Sequence, residues 1–376
     1  MSALSPPSPY SQAKAEAVAG AAGAMVAPVC WPAVVPGSST GFGALREAGP
    51  TVRKAGPISM KRLELFRLAA PKDSGAHRYP GTVTDVLPPA PAPLPTTLAE
   101  ASEAGRTLIM GIINVTPDSF SDGGRWDTTD LAVAHGRQLR AQGADLLDVG
   151  GESTRPGAAR ITPATEQERI IPVVRALAAS GAVVSVDTVH AATAEAAVGA
   201  GAVIVNDVSG GLADPAMHRV VADTGVVYVC QHWRGDPGTM DRLTDYSALG
   251  GVVDGVETEL RERLDELDAA GAGLRQVVID PGLGFAKTHA QSWRLLAATE
   301  RLRVDLGLPV LIGSSRKRFL AAAVPGSAAA DPIARDAATA ATTALAALAG
   351  AWAVRVHEVP ANRDAVRTAS LLKAHR

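Results

Sequence analysis

Short apolar runs recur along the chain from residue 107 onward, and more polar segments separate them. The runs are five to nine residues long, rich in Val and Ile, and bounded by Gly or Pro. Eight such runs lie at residues 107–115, 144–150, 182–188, 202–208, 225–231, 276–280, 309–314 and 353–359. Runs that are apolar throughout are typical of strands buried on both faces. The pattern therefore predicts eight strands of a mainly parallel sheet.

The segments between these runs have the composition and end signals of helices. The clearest of them cover residues 162–180, 254–271 and 333–350. Thr162 is a suitable N-cap for the first helix. In the second, Glu257–Arg261 and Glu259–Arg263 have the spacing of four residues that allows an ion pair along a helix.

Strands that alternate with helices predict an α/β fold, and two architectures are compatible with it. Eight strands over residues 107–376 match the size and strand count of a (β/α)8 TIM barrel. An open, doubly wound sheet is the alternative. The eightfold count favours the closed barrel.

The first 106 residues differ from the rest in composition. They are rich in Pro, Ser, Gly and Ala, and they end in a proline-rich run at residues 86–97. Such a composition favours extended chain, so we predict a disordered extension over residues 1–106 and a catalytic barrel over residues 107–376. A later translation start, for example at Met60, is an alternative. The apolar stretch 17–36 contains three prolines and is a poor membrane helix or signal peptide.

Charge and cysteine content exclude several classes of function. The chain has 36 Lys and Arg against 38 Asp and Glu, a formal net charge of −2, so we expect no nucleic-acid partner and no membrane partner. An anionic ligand therefore requires a local group of cations. Cys30 and Cys230 form no metal-binding or disulfide pattern, which fits a reducing cytoplasm.

Polar side chains stand at the end of seven of the eight predicted strands. They are Asn114, Asp148, Asp187, Asn206, Asp280, the group Ser314, Arg316 and Lys317, and the pair Arg355 and His357. The fifth strand ends instead at Cys230 and Gln231. A single Asp or Asn at such a place often caps the following helix. Because the strand ends meet at the active-site face of a barrel, so many together predict a convergent polar site.

The residue types at these ends indicate the ligand chemistry. Carboxylates and an amide at Asp187, Asn206 and Asp280 suit a flat heterocycle with an amino-amide edge. Lys317 adds a charged donor for a ring oxygen or nitrogen.

Two further groups indicate a phosphate and a metal ion. Arg355 and His357 lie two residues apart, on one face of the last strand, and form a compact anion site. The ordinary alternatives are an acid partner for Arg355 and a core position for His357. Asn114 begins a Gly- and Pro-containing loop, and its amide oxygen suits Mg2+, which takes few protein ligands beside substrate phosphates.

Seven motifs together resemble those of the bacterial dihydropteroate synthases, the pterin-binding (β/α)8 barrels. The longest are IMGIINVTPDSFSDGG (109–124) and DLLDVGGESTRPGA (145–158). The others are VSVDT (184–188), VNDVSGG (205–211), DPGLGFAKT (280–288), SSRKRF (314–319) and RVHEV (355–359). The resemblance covers residues 107–359 and keeps the order of the motifs.

The resemblance implies a transferase of folate biosynthesis that joins 6-hydroxymethyl-7,8-dihydropterin diphosphate to p-aminobenzoate. It implies pterin binding by Asp187, Asn206, Asp280 and Lys317, diphosphate binding by Arg355 and His357, and a cofactor Mg2+ on Asn114. It also implies substrate contacts from Thr154, and a p-aminobenzoate pocket of Arg155, Pro156 and Phe285 with Phe120 and Ser121. Lys317, Asp187 and Arg355 are the expected catalytic residues. Loops 116–125 and 151–160 are expected to order over the site, and a homodimer that is a target of sulfonamides is implied as well.

The chain departs from the family pattern after the fifth strand, where it has CQHWRGDP (230–237). This places Cys230 against the pterin if the position holds, and it favours a structural role for His232. Glu358 replaces the usual aspartate after His357.

Two rival functions remain open. A methyltetrahydrofolate:corrinoid methyltransferase also binds a pterin on strand ends, but it needs no diphosphate site. A catalytically silent relative is expected to have lost Lys317 or the diphosphate residues, and this chain retains them.

Overall fold

The eight apolar runs form eight strands that pair only in parallel. The structure, a computed structural model, describes residues 94–116, 128–153, 160–236 and 238–376. The strands are β1 (Leu108–Asn114), β2 (Leu146–Gly150), β3 (Val184–Asp187), β4 (Ile204–Asp207), β5 (Val227–Gln231), β6 (Val277–Asp280), β7 (Leu311–Ile312) and β8 (Ala353–Val356). Each lies inside the run that predicted it, so the strand predictions are confirmed.

The strands close into a barrel. Their hydrogen-bonded order is β6-β5-β4-β3-β2-β1-β8-β7. Between the two ends of this order, the N–H of Ile279 donates to the carbonyl of Pro309 at 2.9 Å, and Ile279 forms a parallel bridge with Val310. The predicted (β/α)8 barrel is therefore confirmed, and the open sheet is wrong.

Ten α-helices lie within the described residues, most of them between successive strands. They are α1 (Thr96–Glu103), α2 (Thr128–Gln142), α3 (Pro163–Ala179), α4 (Ala191–Gly199), α5 (Met217–Thr224), α6 (Val252–Ala269), α7 (His289–Ala297), α8 (Thr299–Leu306), α9 (Asp336–Leu348) and α10 (Val359–Ala374). Short 3₁₀ helices cover Met240–Arg242, Ser247–Leu249, Leu274–Gln276, Arg318–Ala323, Gly326–Ala330 and Ile333–Arg335. The Oγ1 of Thr162 accepts the N–H of Thr165 at 3.2 Å, which confirms the predicted N-cap of α3.

The two ion pairs predicted along α6 have different outcomes. Arg261 donates to Glu257 at 2.8 Å, as predicted. The predicted Glu259–Arg263 pair is wrong, because buried partners from the segment after β5 take the carboxylate of Glu259. Arg263 pairs with Glu266 instead, at 2.8 Å.

Side chains alternate along each strand between two apolar layers. In β4, Ile204 belongs to the cluster inside the barrel, and Val205 belongs to the cluster between strands and helices. The next inward position is Asn206 rather than an apolar residue. The barrel interior is therefore apolar at the amino ends of the strands and polar at their carboxyl ends.

Helix α1 contacts the amino-terminal end of the barrel. Leu98 is buried and packs in the inner cluster with Leu108 and Trp352. The sequence predicted disordered chain before Thr107, and this helix shows that prediction to be wrong for Thr96–Glu103. Residues 1–93 lie outside the described part, so the predicted division into extension and catalytic domain stays a prediction. None of the helices described is long and apolar enough to cross a membrane.

Candidate active site

Four buried carboxylates and amides come together at the carboxyl ends of the strands. Asp148, Asp187, Asn206 and Asp280 expose 0%, 8%, 2% and 2% of their surface. Their strands are fully buried, so a polar side chain at an inward position has only the barrel interior to enter. The structure thus brings together three of the predicted pterin ligands and adds Asp148.

Arg355, from β8, joins two of these carboxylates. Its Nε donates to Oδ2 of Asp148 at 2.5 Å, and its Nη2 donates to Oδ2 of Asp187 at 2.6 Å. The amide of Asn206 donates to the same Asp148 oxygen at 3.0 Å. Sequence reasoning noted Asp148 as a strand-end residue but gave it no role. The position of Asp148 at the end of β2 was the sequence feature that could have indicated a role in the site.

The charges in this group are not balanced. One guanidinium lies between two carboxylates, so the group carries a net negative charge when both acids are ionised. Burial raises the pKa of Asp187 to about 7, and the charge of Asp148 acts in the same direction, although Arg355 opposes both. A ligand that brings N–H donors or positive charge would relieve this imbalance.

Two buried polar atoms of the same layer have no hydrogen-bond partner within the described part of the chain. They are Oδ1 of Asp148 and Oγ of Ser185, which lie on neighbouring strands in register. Buried polar atoms without partners are rare in folded proteins and are often satisfied by a ligand or water.

Lys317 lies on the other side of the barrel mouth, after β7. Burial lowers its pKa to about 8, and the carboxylate of Asp280 opposes this shift. Its Nζ donates to the carbonyl of Leu283 and lies 4.6 Å from the centroid of the Phe285 ring. Asp280 accepts the N–H of Gly282 at 2.7 Å, which fixes one of its oxygens. Lys317, a predicted pterin ligand, and Phe285, a predicted arylamine contact, are therefore neighbours.

His357 has a defined orientation beside Arg355. The N–H of His357 donates to Oγ of Ser315 at 3.2 Å, and Nδ1 of the ring lies 2.9 Å from the same oxygen. These two contacts to one hydroxyl fix the orientation of the imidazole ring. Arg316, also noted at this strand end, turns away and pairs with Asp336 at 2.7 Å.

Asn114 ends β1 at the same face of the barrel, and its side chain is half-buried. Among the described residues, no group of three or more His, Cys, Asp or Glu is placed to hold a metal ion. A site that supplies one amide oxygen fits Mg2+, which keeps waters and substrate phosphates as its other ligands. The predicted substrate contacts Thr154, Arg155, Pro156, Phe120 and Ser121 lie outside the described residues.

Cys230, at the end of β5, does not face the site as its position in the sequence suggested. Cys230 is buried in the cluster between strands and helices, and Val229 belongs to the inner cluster. The expected contact of Cys230 with the pterin is therefore wrong, because neighbouring side chains of a strand face opposite sides. His232 is buried between Glu259 and Lys287, which is the structural position expected for it.

Comparison with known proteins agrees with this geometry. The family model described as "Pterin binding enzyme" matches residues 110–357. Dihydropteroate synthase of Mycobacterium leprae is 51% identical over 263 residues, which cover 69% of this chain and 91% of that protein. A folate synthesis bifunctional protein of Arabidopsis thaliana is 41% identical over 283 residues, and the match covers 72% of this chain but only 58% of that longer protein.

A solved structure agrees as well. Xanthomonas albilineans dihydropteroate synthase with 4-aminobenzoic acid superposes with a TM-score of 0.66 at 43% identity, over 72% of this chain and 94% of that one. Fold, family model and relatives of this identity leave one assignment. The chain belongs to the pterin-binding enzyme family and, within it, to the dihydropteroate synthases.

Proposed function

We propose that the polar layer of the barrel is the site at which 6-hydroxymethyl-7,8-dihydropterin diphosphate condenses with p-aminobenzoate to give 7,8-dihydropteroate and diphosphate. One observation carries the proposal. Side chains from β2, β3, β4, β6 and β8, with Lys317 after β7, meet in one layer that retains polar atoms without a partner among the described residues. Such a layer inside an apolar barrel requires a polar ligand.

The pterin lies against the acids and the amide in this proposal. Asp187, Asn206 and Asp280 accept or donate along its amino-amide edge, and Lys317 donates to a ring heteroatom. The partnerless oxygen of Asp148 adds a further acceptor beneath the ring. Donors from the pterin would also offset the excess negative charge around Arg355.

The diphosphate lies beside Arg355 and His357. Of the five N–H donors of Arg355, two contact Asp148 and Asp187, and those that no described residue accepts are available to phosphate oxygens. Asn114 would hold Mg2+, and the ion when bound neutralises charge on the leaving group. The cations of this chain assist by lying where that negative charge develops.

The reaction breaks the bond between the exocyclic methylene and the diphosphate oxygen and forms a bond from that methylene to the amine nitrogen. The amine then loses one proton to solvent. Positive charge that develops on the methylene and ring is stabilised by the buried carboxylates Asp187 and Asp280. An arylamine is neutral near pH 7, so the chain needs no strong general base.

The p-aminobenzoate pocket is completed in this proposal by Phe285 with Thr154, Arg155 and Pro156. The Xanthomonas albilineans relative was solved with 4-aminobenzoic acid, which supports a second pocket of this chemistry. Sulfonamides have the shape and the aniline of that substrate, so we propose that they compete for the same pocket. We also propose that the enzyme works in the cytoplasm.

Turnover tests the proposal directly. Protein is incubated with the pterin diphosphate, radiolabelled p-aminobenzoate and Mg2+, and labelled dihydropteroate is measured. Lys317→Ala and Arg355→Ala are expected to lower kcat/KM by roughly 100-fold or more, as for the loss of a charged contact in a buried site. Arg219→Ala is the matched control, because that arginine is 75% exposed on α5.

Two outcomes would contradict the proposal. A folded wild-type protein that binds pterin but makes no product would be a silent relative. Transfer of a methyl group from methyltetrahydrofolate to a corrinoid, without use of the diphosphate, would identify the methyltransferase alternative.

We further propose a homodimer formed through the last two helices. Leu345 on α9 and Leu371 on α10 are 58% and 65% exposed, and the two helices pack on each other. Exposed leucines on adjacent helices are a typical apolar centre for a contact between identical chains.

A further inference from the structure

A buried polar network lies behind the segment that carries Phe285. We call it the Lys287 network and define it as Lys287, His232, Glu259, Arg234 and Tyr246. It joins the segment after β6 to α6 and to the segment after β5. None of the five was assigned to substrate by the sequence, and Lys287 is only 7% exposed.

The amino group of Lys287 is the centre of the network. Its Nζ lies 2.9 Å from Nδ1 of His232 and donates to the carbonyl of Phe285 at 2.8 Å. The other ring nitrogen of His232 lies 2.7 Å from Oε2 of Glu259. Burial lowers the pKa of Lys287 well below its usual value, and the carboxylate of Asp280 opposes this shift. One buried amino group therefore links the backbone next to the candidate arylamine pocket with a carboxylate on α6.

The direction of these hydrogen bonds follows from the charge of the histidine. Burial and the charge of Lys287 lower the pKa of His232 to about 3, so the ring is neutral near pH 7. The Nε2–H then donates to the carboxylate of Glu259, and Nδ1 accepts an N–H of Lys287. Glu259 is in turn fixed by Arg234, whose Nε donates to it at 2.8 Å.

The segment that the network contacts has an unfavourable backbone conformation. Ala286 has φ +50°, in the left-handed backbone region that residues other than glycine rarely adopt. The hydroxyl of Tyr246 donates to the carbonyl of Ala286 at 3.1 Å, and the N–H of Phe285 donates to the carbonyl of Gly282 at 3.0 Å. Such conformations persist only where the surroundings fix them, and they concentrate at functional sites.

The position of the Phe285 ring depends on this backbone. The ring lies against Lys317, with 4.6 Å between its centroid and Nζ. If the segment relaxed out of the left-handed conformation, the ring would leave Lys317 and the arylamine pocket would lose one wall. The pterin side would keep Asp187 and Asn206, which stand on strands that the network does not contact.

We propose that Lys287, acting through His232 and Glu259, is a positioning residue for the arylamine substrate. It holds residues 281–288 in the conformation that keeps Phe285 beside Lys317, and it contacts neither substrate. The inference rests on the proposed function, because that function places p-aminobenzoate at Phe285.

Lys287→Met tests the inference, because methionine keeps an unbranched apolar stem and removes the amino group with its donors. We expect kcat/KM for p-aminobenzoate to fall roughly tenfold, as for the loss of buried hydrogen bonds. KM for the pterin diphosphate should rise by a clearly smaller factor, because Asp187 and Asn206 lie outside the network, whereas Asp280 and Lys317 adjoin it. Lys373→Met, the same substitution at a half-buried lysine on α10, should change neither value.

A second substitution separates positioning from a general loss of stability. Ala286→Gly removes the penalty of the left-handed conformation, so the segment depends less on the network. In the Lys287→Met background it should restore kcat/KM for p-aminobenzoate to within about threefold of wild type. A purely structural role for Lys287 predicts no such selective rescue.

Several outcomes would overturn the inference. They are an equal rise of both KM values, an unchanged kcat/KM for p-aminobenzoate, and a failure of Ala286→Gly to rescue. If Lys287→Met does not fold, His232→Gln, which weakens the acceptor for the amino group, must give the same selective loss. Wild-type turnover is measured first, so absence of product there contradicts the proposed function and not this inference.

Discussion

The guanidinium of Arg355 lies between the carboxylates of Asp148 and Asp187, at 2.5 and 2.6 Å. Burial raises the pKa of Asp187 to about 7, and the negative charge of Asp148 adds to this rise, while Arg355 opposes both. On the opposite wall, burial lowers the pKa of Lys317 to about 8. Two groups of the proposed pterin site thus titrate near neutral pH.

These shifts predict a bell-shaped pH profile of kcat/KM for the pterin diphosphate. Below about pH 7, Asp187 takes up a proton and loses its negative charge, and above about pH 8, Lys317 loses its ammonium charge. Lys317→Arg should lower activity at every pH but abolish the alkaline limb, because a guanidinium does not titrate in this range.

The control for this profile is Arg219→Lys, which alters an exposed residue in the first turn of α5 and should keep both limbs. Initial rates measured from pH 5.5 to 9.5 give the comparison. If the alkaline limb persists unchanged in Lys317→Arg, another group causes it, and our interpretation of Lys317 is contradicted.

The convergence of strand-end residues was predictable, but their partners were not. A side chain at the end of a barrel strand must face the same mouth as its neighbours, so Asp187, Asn206 and Asp280 meet. That Arg355 pairs with Asp148 depends on a contact across 207 residues, which no local pattern contains. Whether the side chain of Cys230 points into or out of the barrel could be predicted only from the register of β5. A run without alternating polar and apolar residues does not reveal that register.

Helix α1 covers the amino-terminal end of the barrel with one main side chain. Leu98 packs with Leu108 and Trp352, so Leu98→Ala should leave a cavity and lower the free energy of unfolding by about 2–4 kcal/mol. Denaturant titration measures the change. Leu212→Ala, at a residue 46% exposed, should change it by less than about 0.5 kcal/mol. An equally small effect of Leu98→Ala would mean that α1 is not part of the folded unit.

His232, in the segment between β5 and α6, is expected to lower the free energy of unfolding in acid. The pKa of His232 is about 3 in the folded protein and about 6.5 in the unfolded chain, so between these values the unfolded chain binds more protons. Stability therefore falls as pH falls through this window.

His232→Gln removes that proton uptake. From pH 6 to pH 4.5, the slope of unfolding free energy against pH should become smaller by up to about 1.4 kcal/mol per pH unit. The pKa of Glu259 is lowered to about 2 by His232 and Arg234 against the effect of burial, so Glu259 adds to the slope mainly at the lower end of this window, near its ordinary pKa of 4.5. The measurement is a series of denaturant titrations at different pH values. Equal slopes of unfolding free energy against pH in the wild type and the variant would contradict a neutral buried His232.

Elements with a strong local pattern were predictable, and those that depend on packing were not. Every strand followed from its apolar run, and the N-cap at Thr162 marked the start of α3. Helix α1 escaped notice because it directly follows a proline-rich run and has few apolar residues of its own. It forms where Leu98 finds the open end of the barrel, which is a tertiary effect.

Closure of the barrel is what turns separate strand ends into one site. Strands β1 and β8 pair in register although about 245 positions separate them, since Leu108 lies opposite Ala353. This pairing brings Arg355 next to the residues of β2 and β3. The same topology leaves α9 and α10 side by side on the outside, with apolar side chains that no described residue covers.

The proposed homodimer predicts a native mass of twice the 38.5 kDa chain in light scattering. Leu371→Asp should shift the mass to that of one chain, because a buried carboxylate without a partner disfavours the contact. Leu345→Asp should do the same, whereas Leu212→Asp, at a similarly exposed leucine after β4, should not. Because the proposed ligands of the pterin and the diphosphate all come from one chain, kcat/KM for the pterin diphosphate should stay within about twofold in the single chains. A wild-type mass of 38.5 kDa, or a dimer that both aspartates leave intact, would place the contact elsewhere or exclude it.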